Sequence, residues 1–344
     1  MIYISFPSNK ENWLHLRYKQ LSQSLLGYKT QDMSWWGQLR NNIFTSVNKY
    51  YKDISLVPWD SEIPLSGNDI LVTFLPNQNM QKWKRTISID NSNFDGLKWN
   101  AGKFSKGCFE VDIADNYMHK YDNYTQGILS HIIMSNDVAI SRCKSDELSV
   151  RDLFNFYKST SSNVFITPHP IDKTYWSSIY DPNYFRNPTK MLVYHNGERK
   201  NSSQLISMLL LMGLKEGEHF DVTSYIRKDN LKKLKKYLTN YNITANCSYS
   251  ETGPVNLIEI MANGQLIFGH EEWWSGCGHE QLRWSYDPQF QERNKSNLAY
   301  LFNQSNIDEL HQIRNTSIET LLNRNDNNWS VITDKVVEII KKNY

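Results

Sequence analysis

Two carboxylates, Glu251 and Glu259, stand with seven residues between them, and Gly253-Pro254 follows the first. The stretch "ITANCSYSE" (243–251) reads as a buried strand running into a turn, and "VNLIEIMANG" (255–264) as a helix. A proline in the first helical turn costs nothing, because the N–H it lacks has no intrahelical acceptor there. The N–H groups of Gly253, Val255 and Asn256 would then lie at the positive end of the helix dipole, where a phosphate or a sugar hydroxyl is held. Glu259, further along the same helix, is placed to accept hydrogen bonds from a vicinal diol such as a ribose. The alternative for both glutamates is an ordinary solvent-facing carboxylate. Arg199 and Lys200 follow the apolar run "MLVYH" (191–195) and precede a helix opening at Ser202. They are either cations for a phosphate group, Arg bridging two oxygens and Lys acting as a point charge, or a solvated basic turn.

Weaker constellations lie elsewhere. Asp112, Asp115 and His119 follow the strand-like run "CFEVDI" (108–113) and are acceptor-site candidates; equally, Asp115 caps a turn and His119 is exposed. Tyr225 and Arg227 follow "FDVTSY" (220–225), where they could flank a nucleobase. His270, Glu271, Cys277 and His279 match no common zinc spacing, so a loop is the better reading there. The four cysteines, Cys108, Cys143, Cys247 and Cys277, are scattered and read as buried reduced thiols.

These residues need elements to hold them. A chain of 344 residues exceeds the usual single core and predicts two domains. Apolar runs of strand length alternate with helical periods: "MIYISF" (1–6), a helix over 11–27, "DILVTFL" (69–75), "TISID" (86–90), "CFEVDI", a helix over 124–135, "DVAISRC" (137–143) and a capped helix over 145–159. Residues 167–190 carry four of the ten prolines and predict an extended linker. Beyond it the alternation restarts with strands at 191–195, 220–225, 243–248 and 265–269 and helices between them. Short strands separated by helices require right-handed crossovers and parallel sheets. The expected fold is therefore α/β, two Rossmann-like domains whose parallel sheets face a central cleft, with ligands at the carboxyl ends of the strands. The aromatic stretches "SWWGQLRNN" (34–42) and "LVPWDSEIP" (56–64) line a groove or fill a core. The helix over 229–241 keeps Leu231, Leu234 and Leu238 on one side and predicts a solvated lysine face.

Charge and hydropathy narrow the function classes. Lys plus Arg total 38 against 36 for Asp plus Glu, so the net charge of +2 makes no electrostatic case for nucleic acid. No apolar run approaches the length of a membrane span and the first residues lack a signal-peptide pattern, so the expected location is cytoplasmic, with at most peripheral membrane contact.

The stretch from Glu251 through Glu259 to "IMANGQLIFG" (260–269) resembles the nucleotide-sugar site of retaining GT-B glycosyltransferases of the GT4 kind. "FITPHPID" (165–172) resembles the interdomain turn of that family, "NGERKNSSQLI" (196–206) its first C-terminal phosphate loop, and residues 108–117 and 135–148 the last strands of its N-terminal half. The likeness covers roughly residues 108–270, and the Gly-rich loop often found after the first strand is missing. The resemblance implies an acceptor-binding domain at 1–165, a nucleotide-sugar-binding domain at 166–325 and a final helix at 326–344 packing back on the first. It implies that Glu251 holds donor-sugar hydroxyls and supports positive character at the anomeric carbon. By the same resemblance Arg199 and Lys200 stabilise the leaving diphosphate, and Gly197, Gly253, Val255, Asn256, Glu259 and Tyr225 bind the donor. The implied activity is retaining transfer of a sugar from a nucleoside-diphosphate sugar to a glycan or glycolipid, as in polysaccharide biosynthesis, with no metal site and no cofactor beyond the donor. A catalytically silent module of the same fold, or a sugar-nucleotide epimerase, is the alternative.

Overall fold

The computed structural model describes residues 1–6, 35–58, 66–74, 85–91, 128–134, 163–195, 202–223, 231–247, 255–269 and 291–344. The described residues within Met1–Ser135, Cys143–Thr167 and Trp329–Tyr344 form one compact unit, and those within Pro168–Asn328 form a second.

The first unit is built on a six-stranded parallel sheet in the order β2-β1-β3-β4-β5-β6. Its strands are β1 (Ile2–Phe6), β2 (Ile54–Pro58), β3 (Ile70–Phe74), β4 (Thr86–Asn91), β5 (Ile128–Met134) and β6 (Val164–Thr167). Ile2, Ile4, Ile70, Leu71, Val72, Ile87 and Ile89 are fully buried. A parallel sheet covered on both faces demands such near-continuous β-branched runs. Among the described residues β2 pairs only with β1, and its terminal Pro58 sits where an edge strand tolerates the missing N–H. Helix α1 (Trp35–Asn48) turns Leu39, Ile43 and Val47 inward at four-residue spacing. The last helix of the chain, Trp329–Asn343, packs on α1 and on β5 through a face that includes Ile332, Val336, Ile339 and Ile340.

Two sequence expectations fail here. Residues 124–135 read as a helix, yet 128–134 form β5, paired with β4 on one side and β6 on the other. Ile128, Leu129, Ile132 and Ile133 suit either period, and two ladders of neighbours decide the matter. Full burial of Ile132 alone is worth about 1.5–3 kcal/mol. Likewise the proline-rich stretch 167–190 is not wholly extended. It contains helix α2 (Lys173–Ser177), whose N-cap Asp172 accepts a hydrogen bond from the Tyr175 N–H at 2.9 Å and which buries Trp176. The expected helix at 11–27 and strands at 108–113 and 137–143 lie outside the described residues.

The second unit holds a four-stranded parallel sheet, ordered β10-β9-β7-β8. Its strands are β7 (Met191–Tyr194), β8 (Phe220–Thr223), β9 (Ile243–Asn246) and β10 (Leu266–Gly269). Helices α3 (Ser202–Leu211), α4 (Leu231–Leu238) and α5 (Val255–Ala262) alternate with them. Two more helices follow, α6 (Gln291–Phe302) and α7 (Ile307–Asn323), so that Trp329–Asn343 is α8. Met191, Val193, Leu205, Phe220, Ile243, Phe268, Leu298 and Leu310 belong to one core.

Helix α4 departs from its expected solvated lysine face. Leu234 and Leu238 are buried, but so is Lys235 at 4% exposure. Its Nζ donates to the Tyr175 carbonyl and to Ser178 Oγ, and lies 4.2 Å from the centre of the Tyr175 ring. Burial lowers the Lys235 pKa, opposed by the charge of Asp172. The long side chain thus ties α4 to α2.

Candidate functional site

In the second sheet the register aligns Tyr194 with Thr223, Val193 with Ala245, and Gly269 with Asn246. All four strands therefore end at one edge. The chain leaves β7, β8 and β9 there and re-enters the described structure at the first turns of α3, α4 and α5. A short parallel strand feeding a helix through a tight connection produces this arrangement, and it collects helix N-termini beside strand ends.

The departure from β7 is held by side chain and backbone together. The His195 N–H donates to the Thr223 carbonyl at 2.8 Å, continuing the β7–β8 ladder by one residue. Its Nδ1 lies 2.5 Å from Oγ of the fully buried Ser202, the first residue of α3. That bond clamps the two ends of the segment 196–201, which carries Gly197, Arg199 and Lys200. Sequence reasoning passes over His195 and Ser202; the readable signal was a hydrogen-bonding residue at each end of a six-residue connection.

The departure from β9 is lined by buried groups. Asn246 is 4% exposed and Cys247 2%. Desolvation raises the Cys247 thiol pKa well above its usual range, so this cysteine stays a protonated, unreactive packing residue. Val255 and Asn256 open α5, as the sequence predicts for a helix starting behind Pro254. Every residue from Ile258 to Gly269 is buried, Glu259 at 2% exposure among them. The sequence leaves a solvent-facing alternative for Glu259; the carboxylate is instead enclosed. A buried carboxylate is costly unless hydrogen-bonded, so such a position favours a role in recognition or architecture over chance.

Of the sequence-derived site residues, Glu259 is described in full, and Val255 and Asn256 as the first two residues of α5. Glu251, Arg199, Lys200, Gly197, Gly253 and Tyr225, with the acceptor-side candidates Asp112, Asp115 and His119, lie outside the described residues. So do Arg227 and the His270 to His279 group. Among the described residues no group of three His, Cys, Asp or Glu side chains is placed to hold a metal ion. Among them, too, no helix is long and apolar enough to cross a membrane.

No protein-family model and no curated protein matches the sequence. Solved structures do match its fold. WaaG, a glycosyltransferase involved in lipopolysaccharide biosynthesis, is similar at a TM-score of 0.55 and 10% identity, over 99% of this chain and 99% of WaaG. A glycosyltransferase from Rickettsia africae ESF-5 is similar at 0.50 and 13% identity, over 99% of this chain and 97% of that one. TarM is similar at 0.52 and 12% identity; 88% of this chain is covered, but it spans only 58% of TarM's length. The architecture is the GT-B one, two Rossmann-like α/β units each with a parallel sheet.

Proposed function

We propose that this chain is a glycosyltransferase that moves a sugar from a nucleoside-diphosphate sugar to a glycan or glycolipid acceptor, with retention at the anomeric carbon. The observation that carries the reading is the common edge of β7, β8 and β9. Segments bearing Gly197, Arg199 and Lys200, then Tyr225, then Glu251 and Gly253 start from that edge, and the helix that follows encloses Glu259. The GT-B fold, and the glycosyltransferases that share it, support the same conclusion.

In this reading the second unit binds the donor and the first unit, through Asp112, Asp115 and His119, binds the acceptor. Arg199 and Lys200 supply positive charge to the departing diphosphate, where negative charge builds as the bond to the sugar breaks. A metal is not required for that step when two cations stand at the phosphates. The first turn of α5 offers its N–H groups to the phosphate or sugar, Glu259 accepts from the ribose hydroxyls, and Glu251 faces the donor sugar. The bond from the anomeric carbon to the phosphate oxygen breaks as the acceptor oxygen bonds on the same face, and a donor phosphate oxygen takes the acceptor proton. No separate protein base is then needed. A place in polysaccharide biosynthesis fits this class; WaaG, of the same fold, is a glycosyltransferase involved in lipopolysaccharide biosynthesis.

The test is a melting-temperature screen with UDP, GDP, ADP, CDP and dTDP, followed by donor hydrolysis and transfer assays with the sugar nucleotides of the base that binds. Proton NMR of the product reports the anomer. Binding of a nucleotide with turnover in the presence of a glycan supports the proposal. Absence of any nucleotide-dependent shift, or turnover of donor to an epimer with no acceptor present, overturns it.

A further inference from the structure

We infer, resting on the donor-binding reading of the second sheet's carboxyl edge, that His195 and Ser202 are a pair of positioning residues. The bond between them sets where the segment carrying Arg199 and Lys200 stands, and so how well the two cations meet a diphosphate. Neither side chain touches the donor in this reading. They act through the segment between them.

The two residues are mounted on different elements. His195 is half-buried and still belongs to the sheet, since its N–H donates to the Thr223 carbonyl at 2.8 Å, one step beyond the Tyr194–Thr223 pair. Ser202 opens α3 and is fully buried. A buried hydroxyl is costly unless paired, and the imidazole meets it, with Nδ1 and Oγ 2.5 Å apart. A neutral ring makes this bond in either tautomer, accepting from the hydroxyl at a bare Nδ1 or donating to its oxygen from Nδ1–H. An imidazolium makes it in the second way. The tie therefore holds whichever form the ring takes.

Apolar packing leaves the start of α3 less sharply defined than its middle. Leu205, Met208 and Leu209 seat the helix in the core that includes Met191 and Val193 of β7 and Phe220 of β8. Those contacts begin three residues beyond Ser202, and hydrophobic burial has no preferred direction. A hydrogen bond has a preferred length and angle, so the ring fixes the end of the helix against the end of the strand. Six residues, Asn196 to Asn201, run between these two fixed points, and Lys200 and Arg199 are only two and three positions from Ser202. So short a connection follows its ends. A bidentate contact between guanidinium and phosphate tolerates little displacement, and a shift of about 1 Å costs on the order of 100-fold where groups must be aligned. The loss falls on the phosphates, where the cations act, and spares the ribose, which this reading gives to Glu259.

The experiment is isothermal titration of UDP, GDP, ADP, CDP and dTDP, and of the matching monophosphates, into the full wild-type chain and into Ser202→Ala, His195→Phe and His195→Asn, each checked for folding by its melting curve. Asparagine carries its amide on Cγ, as histidine carries Nδ1, so it can remake the bond to Ser202 where phenylalanine cannot. For the base that binds, Ser202→Ala and His195→Phe should weaken the diphosphate about tenfold or more and the monophosphate about threefold or less. His195→Asn should return the diphosphate to within about threefold of wild type. A bond that only stabilises the fold would lower the melting temperature and leave the ratio of the two affinities as in wild type. That result, or a diphosphate held as tightly by Ser202→Ala as by wild type, or no recovery in His195→Asn, overturns the inference while the donor reading stands. A wild-type chain that binds none of these nucleotides overturns both. If His195→Phe fails to fold, Ser202→Ala decides, because it removes a single oxygen.

Discussion

Replacing Glu259 by glutamine keeps the volume of a side chain that is 2% exposed and removes its charge. If the carboxylate accepts two hydroxyls of a ribose, each bond loses its charge assistance, worth about 1.5 kcal/mol. The sum of about 3 kcal/mol corresponds to a nucleotide affinity on the order of 100-fold weaker. Melting curves translate this directly. A nucleotide at about 100 times its Kd stabilises the wild type by about 2.7 kcal/mol, and the same concentration, now near the Kd of the variant, stabilises it by about 0.4 kcal/mol. For a unit of this size the shift on adding nucleotide should fall from about 5–10 °C to about 1 °C. The assay is isothermal titration with the nucleotide that shifts the wild type, paired with melting curves of both proteins with and without it. A Glu259→Gln protein that folds and binds nucleotide within about threefold of wild type refutes the reasoning, and makes the buried carboxylate a purely architectural group.

Further outcomes follow from the same structure. Arg199→Ala and Glu251→Ala should each abolish sugar transfer while leaving the far-ultraviolet circular dichroism and melting temperature near wild type; full transfer by either would remove that residue from the chemistry. Lys235→Met should cost about 1–3 kcal/mol, since the Tyr175 carbonyl loses its donor, and should speed amide exchange in residues 173–180; an unchanged urea midpoint would contradict the link between α4 and α2. Asp221 is pushed up by partial burial, but the hydrogen bonds from Lys190 at 2.8 Å and Tyr241 at 2.7 Å outweigh it and hold the carboxyl below its ordinary 3.8. A depressed carboxyl adds stability that is present above its unfolded value and disappears as pH falls through the folded one. The urea midpoint should therefore drop below about pH 3.8 more steeply in wild type than in Asp221→Asn.

Much of the second sheet was legible because three of its strands, β7, β9 and β10, are buried on both faces. "MLVY", "ITAN" and "LIFG" read as strand-length blocks between polar turns, whereas the order β10-β9-β7-β8 comes from the folded sheet alone. β5 was not legible, because the spacing of its isoleucines suits a helix as well as a strand, and only β4 and β6 beside it resolve the choice. Helix α2 was hidden by prolines at positions 168, 170, 182 and 188, although Asp172 before Lys173 is an ordinary capping signal. Helix α1 carries a readable spacing at Leu39, Ile43 and Val47, obscured by the tryptophans that open it. At the site, the position of Glu259 behind a helix start was visible in the sequence, and its burial was not, since burial depends on what α5 packs against. Lys235 turned inward against a pattern that assigns lysines to water, because α2 presents a carbonyl, a hydroxyl and an aromatic ring at its reach.

The last helix gives the first unit an unusual history. Its inner side chains cover α1 and β5, but they are synthesised after the whole of Pro168–Asn328. On the ribosome the second unit therefore has all its parts while the first still waits for the side chains that seal it. Nascent chains stalled before residue 329 should bind chaperones that recognise uncovered isoleucine and valine, and release them once the final turn clears the exit tunnel.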